Sequence, residues 1–317
     1  MEELLAGRIA EDDIVRLLEA LRTKGETVEE LVGFASVMRR RASSALARVA
    51  VHADALVDTC GTGGGKVRTF NISTAAAFVV AGAGVRVAKH GNRSYTTSCG
   101  SADVLEALGV QIDGVPEEAA TAIDEIGIGF FFAPVAHTAA RHAAAARKRL
   151  GAATVFNLLG PLTNPAGARA QVLGVFAAKW TEPVALALAE LGTRRAFVVH
   201  ADDGLDEIAL SCETQVSEVR GNSVQTYRLS PEDFGLPRAA VETLAGGNAE
   251  TNAQIIRDVL ASVPGPRRDI VIANASAALV AAGRADDFRE GARLAVESLD
   301  SGAARKKLEA LVKFTHK

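Results

Sequence analysis

Asp58-Thr59-Cys60-Gly61-Thr62-Gly63-Gly64-Gly65-Lys66, resumed at Asn71-Ile72-Ser73-Thr74 by the alanine-rich run Ala75 to Ala81, is the stretch that decides the fold. The short apolar run Ala55 to Val57 in front of it predicts a strand, and the alanines behind it predict a helix. Glycines without a Cβ let main-chain N–H groups turn inward around an anion, and a helix N-terminus adds unpaired amides and partial positive charge. A phosphate fits such a loop. So does the plainer alternative, a tight turn before an ordinary capped helix, because the cluster has neither the GxxxxGK[ST] spacing of a Walker A loop nor a Rossmann fingerprint.

Outward from this unit, the runs Val85 to Val87, Phe197 to His200 and Ile270 to Ala273 alternate with alanine-rich helical stretches. That alternation predicts an α/β domain with a mostly parallel sheet wrapped by helices. Residues 2–48 differ: Ile9, Ile14, Leu17, Leu18 and Leu21, then Val28, Leu31, Val32, Phe34 and Val37, repeat at helical spacing. Thr27 with Glu30 three residues on is a capping box, so the second of these helices starts there. Phe156 to Pro165, with two prolines and Gly160, has the composition of an inter-domain connection or buried turn, and Glu213 to Arg228 reads as a hairpin turning at Gly221-Asn222.

Three further segments carry chemistry. Lys89-His90-Gly91-Asn92-Arg93-Ser94 follows the strand Val85 to Ala88 and leads through Tyr95-Thr96-Thr97-Ser98-Cys99-Gly100 into a helix capped at Ser101. It repeats the strand–loop–helix arrangement with two cations that neutralise phosphate oxygens. Asp202-Asp203-Gly204-Leu205-Asp206-Glu207 offers hard oxygen ligands of the kind Mg²⁺ accepts, or else a solvated acidic loop. His137 and His142 are five apart, which is not the i, i+4 pair of a zincin, and Arg147 either clamps a carboxylate or complements a helix dipole together with Lys148 and Arg149.

The 317 residues include 35 Lys+Arg and 38 Asp+Glu, a formal net charge of −3, so no global basic field exists to hold nucleic acid. Cys60, Cys99 and Cys212 match no zinc or disulfide spacing. The acidic start Met1-Glu2-Glu3-Leu4 lacks the pattern of a signal peptide, and no apolar run reaches the roughly 18 residues of a membrane span. A cytoplasmic protein is expected.

The motifs together resemble the anthranilate phosphoribosyltransferases of tryptophan biosynthesis. Gly61-Thr62-Gly63-Gly64 with Asn71 to Thr74, Lys89 to Ser94, Gly100 to Gly109, Val155 to Pro165, Gly246 to Ala253 and Asp300-Ser301-Gly302 carry the resemblance over nearly the whole chain. It implies a nucleoside-phosphorylase-like fold. A small helical domain, 1–50 joined by about 151–171, would stand beside a large α/β domain of 51–150 and 172–317.

The implied reaction moves the phosphoribosyl group of phosphoribosyl pyrophosphate to the amine of anthranilate. The resemblance assigns phosphoribosyl pyrophosphate to Gly61, Gly64, Gly65, Thr69, Asn71, Ile72, Ser73, Thr74, Lys89, His90, Gly91, Asn92, Arg93, Ser94, Tyr95, Thr96, Thr97 and Ser101. Anthranilate falls to Gly61, Asn92, His137 and Arg147; two Mg²⁺ per site fall to Ser73, Asp206 and Glu207; the catalytic group is Lys89, Asp206 and Glu207. A homodimer is implied as well. One departure stands out, because the family usually has Asp where this chain has Gly65. Two other readings share the fold: a pyrimidine nucleoside phosphorylase, whose glycine and lysine motifs differ, and a nucleic-acid-binding relative, which the net charge and the presence of Asn92, Arg147, Asp206 and Glu207 oppose.

Overall fold

The computed structural model describes residues 1–42, 56–65, 67–94 and 99–317, so Ala55, Lys66, Tyr95 to Ser98 and the end of the helical stretch beyond residue 42, among the residues singled out above, lie outside the described residues. In chain order the helices are α1 (Glu2–Leu5), α2 (Glu11–Lys24), α3 (Val28–Ala42), α4 (Ile72–Gly82), α5 (Ser101–Ala107), α6 (Pro116–Ile126), α7 (Ala133–Ala136), α8 (Ala144–Leu150), α9 (Val155–Leu162), α10 (Thr181–Glu190), α11 (Ala249–Leu260), α12 (Pro266–Ala281), α13 (Phe288–Asp300) and α14 (Ala303–Thr315). The strands are β1 (Leu56–Gly61), β2 (Arg86–Gly91), β3 (Ile128–Phe132), β4 (Ala170–Gly174), β5 (Arg195–Ala201), β6 (Thr214–Arg220) and β7 (Ser223–Leu229).

The seven strands form one sheet in the order β3-β2-β1-β4-β5-β6-β7. Strands β1 to β5 are parallel, and the β6–β7 hairpin closes one edge antiparallel, turning at Gly221-Asn222 as its sequence predicts. The chain runs from β1 outward to β3 and then returns to the other side of β1 at β4. Open α/β sheets bind ligands beyond the carboxyl ends of their strands near such a reversal.

Helix α4 is the centre of the larger core. Its residues Ala75 to Ala81 are all buried; Ala75, Ala76, Ala77 and Ala81 allow close approach and Phe78, Val79 and Val80 fill the core, so the helix lies against β1, β2, α12 and α14 at once. A second apolar cluster joins Leu4, Leu18, Leu31 and Met38 of the N-terminal helices to Phe156, Leu159 and Leu162 of α9 and to Val184 and Leu188 of α10 on the other face of the sheet. Arg39 stitches α3 to that layer, donating to the carbonyls of Leu162 at 2.7 Å and Leu191 at 2.9 Å, and burial lowers its pKa to about 10. The capping box expected at Thr27 is formed: Thr27 N–H donates to Glu30 Oε2 at 3.0 Å and Glu30 N–H to Thr27 Oγ1 at 3.3 Å.

Three sequence expectations are corrected. Ile270 to Ala273 is not a strand but part of α12, in which every residue from Ile270 to Ala281 is buried; a helix enclosed on all sides shows an apolar run instead of an amphipathic stripe. Phe156 to Pro165 is mostly helix α9. It opens on a reciprocal Thr154–Asn157 pair, tolerates Pro161 in its last turn, and has the Pro161 carbonyl held by Gln171 Nε2 at 2.9 Å. Helix α5 begins at Ser101, with Gly100 before it as the cap position, where Asp103 accepts from Gly100 N–H at 2.8 Å. Among the described residues no helix is long and apolar enough to cross a membrane.

The end of α4 tests this packing. A Cβ built on Gly82 would stand 2.2 Å from Ser298 Oγ and 2.6 Å from the main-chain nitrogen of Ala304, where α13 and α14 close over the helix. Gly82→Ala is expected to cost about 1–3 kcal/mol through overpacking, read as a lower urea midpoint with an unchanged slope. A variant as stable as wild type would show that the helices yield without strain.

Candidate active site

The carboxyl ends of β1, β2 and β5, the N-terminus of α4, and helices α8 and α9 surround one cavity of about 760 Å³. Its lining includes Gly61 to Gly65, Thr69 to Thr74, Lys89 to Ser94, Ser101, His137, Arg147, Asp206 and Glu207. Four segments chosen from separate parts of the sequence therefore meet at one place. Tyr95, Thr96 and Thr97 fall outside the described residues.

The glycine loop leaves β1 through Gly63 and Gly64, whose φ values of 63° and 82° lie in the left-handed region that glycine alone adopts readily. Gly65 is not in that region; its constraint is spatial, since a Cβ there would lie 2.9 Å from Asp206 Oδ1. Beyond the loop, Thr74 is fully buried and its Oγ1 lacks any hydrogen-bond partner, a hydroxyl held ready beside the cavity. Asn71 is already engaged: its Nδ2 donates to the Cys99 carbonyl at 3.2 Å, and its Oδ1 accepts from Asn252 Nδ2 at 3.0 Å. Ile72 turns its side chain into the core.

In the second loop the two cations part ways. Lys89 is buried and donates from Nζ to the Thr59 carbonyl at 2.6 Å; burial lowers its pKa, against the opposing pull of Asp58, Cys60 and Glu207. Arg93 is exposed and spends its guanidinium on α5, reaching Glu106 at 2.5 and 2.8 Å and Asp103 at 2.9 Å, and it lies over the Phe132 ring. These carboxylates raise its pKa further. The main chain of the loop is tied to the same helix, with Ser94 N–H donating to Asp103 Oδ2 at 3.2 Å and Ser101 Oγ to the Asn92 carbonyl at 3.4 Å.

The acidic segment divides as well. Asp202 is exposed and paired with Arg228, and Asp203 accepts from Leu205 N–H at 3.1 Å, so neither enters the cavity. Asp206 and Glu207 do, which corrects the reading of this whole segment as one solvated loop. Burial raises the pKa of both; Glu207 is pushed to about 8 by burial and then by the charge of Asp206, while Lys89 and the Ser73 N–H, 3.2 Å from Oε1, oppose the rise. Two carboxyls held together in this way favour a cation between them.

His90 and His137 meet edge to face with ring centroids 5.1 Å apart, and the Nε2 atom of each is buried without a partner. Burial holds both neutral: His90 is lowered well below the usual imidazole value and His137 to about 4. Arg147 lies in the last turn of α8 with its guanidinium 5.3 Å from the Phe156 ring centre, where α9 crosses. Arg147 is thus both a cation in the last turn of its helix and part of the cavity lining, which leaves the carboxylate-clamp and helix-dipole readings side by side.

Residues to which the sequence reading gave no role in the site also line the cavity: Met38, Arg68, Arg141, Thr163 and the Gly246-Gly247-Asn248 turn. That turn precedes α11, whose cap is Asn248 Oδ1 accepting from Thr251 N–H at 2.9 Å, and the bridge between Thr69 and Ala245 brings it alongside the first loop. A glycine pair before a capped helix was the available signal.

The family profile described as "Glycosyl transferase family, a/b domain" matches residues 53–305, and that described as "Glycosyl transferase family, helical bundle domain" matches residues 1–42. The anthranilate phosphoribosyltransferase of Syntrophobacter fumaroxidans is 56% identical over 316 residues, covering 100% of this chain and 93% of its own length. That of Symbiobacterium thermophilum is 54% identical, covering 100% and 92%. Among solved structures, the anthranilate phosphoribosyltransferase of Thermus thermophilus superposes with a TM-score of 0.93 at 45% identity, covering 100% of this chain and 93% of that one. The Saccharomyces cerevisiae enzyme in complex with phosphoribosyl pyrophosphate and Mg superposes with a TM-score of 0.87 at 28% identity, covering 96% and 85%. With that likeness over its full length, the chain belongs to the anthranilate phosphoribosyltransferase family.

Proposed function

We propose that this protein transfers the phosphoribosyl group of phosphoribosyl pyrophosphate to the amine of anthranilate, releasing pyrophosphate, as a cytoplasmic homodimeric enzyme of tryptophan biosynthesis. The observation that carries the reading is the meeting of two glycine-containing loops, a half-buried acidic pair and a guanidinium in one cavity. The division into a helical part, 1–50 with about 151–171, and an α/β part, 51–150 with 172–317, belongs to the same proposal, supported by the apolar cluster shared between the N-terminal helices and α9.

The donor set suits Mg²⁺. Ser73, Asp206 and Glu207 offer hard oxygens, and among the described residues no three acidic, histidine or cysteine side chains form a closed cage. That is the pattern of a cation that takes one or two carboxylates from protein and the rest from water and phosphate. Bound by these residues, as two ions per site, Mg²⁺ supplies neutralisation of charge on the pyrophosphate oxygens.

In the reaction the bond from ribose C1 to the pyrophosphate oxygen breaks and a bond from C1 to the anthranilate nitrogen forms, with loss of one amine proton. Lys89 and the main-chain amides of the glycine loop hold the leaving group, with Gly61, Gly64, Gly65, Thr69, Asn71, Ile72, Ser73, Thr74, Lys89 to Thr97 and Ser101 as its surroundings. For Ile72 the contribution is its main chain, since its side chain is in the core. Arg147, Asn92, Gly61 and His137 hold anthranilate, with the planar guanidinium matching the carboxylate. Neutral His90 and His137 present unpartnered Nε2 atoms as acceptors for amine hydrogens. Positioning and charge stabilisation do the catalytic work, so no strong general base is required.

Three outcomes test this. Anthranilate fluorescence should fall only when protein, phosphoribosyl pyrophosphate and Mg²⁺ are all present, and Asp206→Asn or Glu207→Gln should slow it by about a hundredfold or more; folded wild-type protein that is inactive at every Mg²⁺ concentration would remove the transferase reading. Arg147→Lys keeps the charge but loses the fork, and is expected to raise KM for anthranilate by about tenfold while moving KM for phosphoribosyl pyrophosphate little. Equal changes in the two constants would favour the helix-dipole role.

The third outcome concerns pH. An unfolded imidazole titrates near 6.5 and folded His137 near 4, so between these values the unfolded chain binds more protons. The stability that neutral His137 maintains is complete above pH 6.5 and is lost as pH falls toward 4. The stability difference between wild type and His137→Gln should therefore shrink by roughly 3 kcal/mol over that interval, measured by urea unfolding at each pH. A constant difference would place a charged imidazole in the fold.

A further inference from the structure

Strands β1 and β2 run side by side for only two residue pairs, Leu56 with Arg86 and Val57 with Val87. Each then continues with its other neighbour, β1 with β4 as far as Gly61 and β2 with β3 as far as Gly91. The ladder between β1 and β2 thus stops along one seam while the strands stay side by side, immediately below the two loops that line the cavity. Main-chain N–H and C=O groups along a buried seam must find other partners.

Side chains supply them. Asp58, fully buried, accepts at Oδ1 from the His90 N–H at 3.3 Å and at Oδ2 from Asn164 Nδ2 at 2.8 Å. Asn164, at the end of α9, also donates from Nδ2 to the Ala88 carbonyl at 2.8 Å and accepts at Oδ1 from Ala166 N–H at 2.9 Å. Lys89 crosses the same seam in the other direction, from β2 to the Thr59 carbonyl of β1 at 2.6 Å. Three side chains therefore stand where ladder hydrogen bonds would be.

We propose that Asp58, anchored by Asn164, is a positioning residue that bridges β1 and β2 where their ladder stops and so sets Lys89 and the 89–94 loop at their working distance from the glycine loop. Only a carboxylate suits position 58. The groups that face it, the His90 N–H, the Asn164 amide and the Cys60 thiol, all donate, and a carboxylate is the one side-chain group of that size that only accepts. Its negative charge also favours the ammonium form of Lys89, which burial opposes. An asparagine at position 58 presents its own NH₂ to one of these donors, and turning Asn164 over to meet it would sacrifice the bonds to Ala88 and Ala166. The pair also links the end of α9 to the sheet, so the seam and the helical side of the cavity move together.

The effect expected rests on Lys89 and its loop holding pyrophosphate, as in the transferase reading, and the test separates the two ideas. Titration calorimetry with inorganic pyrophosphate requires no turnover. Asp58→Asn and Asn164→Ala are expected to weaken pyrophosphate binding by about tenfold, the scale of a lost hydrogen bond to a charged group, and to raise KM for phosphoribosyl pyrophosphate by a similar factor. KM for anthranilate and kcat should stay within about twofold, a split that general loosening of the fold would not give. If Asp58→Asn fails to fold, Asn164→Ala, which leaves the carboxylate in place, carries the same comparison. Pyrophosphate affinity within twofold of wild type in a folded variant, or an equal loss for anthranilate, overturns the positioning role. Wild-type protein that binds pyrophosphate but does not consume anthranilate would overturn the transferase reading alone.

Discussion

A helix with almost no polar side-chain surface holds this molecule together. Helix α4 lies between the sheet and α12 to α14, and Ala75, Ala76, Ala77, Ala81 and Gly82 let these elements come close while Phe78, Val79 and Val80 fill the core between them. The constraint reaches the cavity directly, because the first turn of the same helix carries Ser73 and Thr74 to its floor. Shifting α4 by the width of one methyl group would move both the core and the anion site. Close packing transmits such shifts because interiors have little slack.

The cavity is assembled from opposing tendencies. Burial disfavours the charges of Lys89, Asp206 and Glu207, which share the same walls; Lys89 and Glu207 partly offset each other, while Asp206 adds to the cost at Glu207. The histidines resolve the conflict by staying neutral, and Arg93 resolves it by leaving for the carboxylates of α5. Two neighbouring cations in one loop thus take different parts, one buried beside the floor and one building the loop itself.

Much of this was legible beforehand, for identifiable reasons. Glycine clusters, capping residues and β-branched runs are local signals, so β1, α4, β2, the β6–β7 hairpin and the Thr27 cap could be read from the residues themselves. The resemblance extended that reading to the site and its chemistry. What escaped was set by enclosure. Helix α12 is buried all round and imitated a strand, α9 carries a proline where helices usually stop, and β3 and β4 are short segments whose partners are distant in sequence. Asp58 looked like one more residue of the glycine motif; its partner Asn164 lies 106 positions away, and only the folded chain brings them together. The like-charge neighbour that Gly65 spares Asp206 is likewise a matter of three-dimensional proximity.

The carboxylate pair at the cavity floor has a consequence for how the protein persists in the cell. Two acids raised against their natural tendency are a debit that an unliganded fold must carry, and a cation that joins them returns that free energy as stability. Anything that binds the native chain and not the unfolded one raises the unfolding free energy by mass action. A substrate or metal held at this floor would therefore add to the stability of the native chain. Natural proteins sit only slightly above the stability they need, so such a margin is large enough to be felt by proteases.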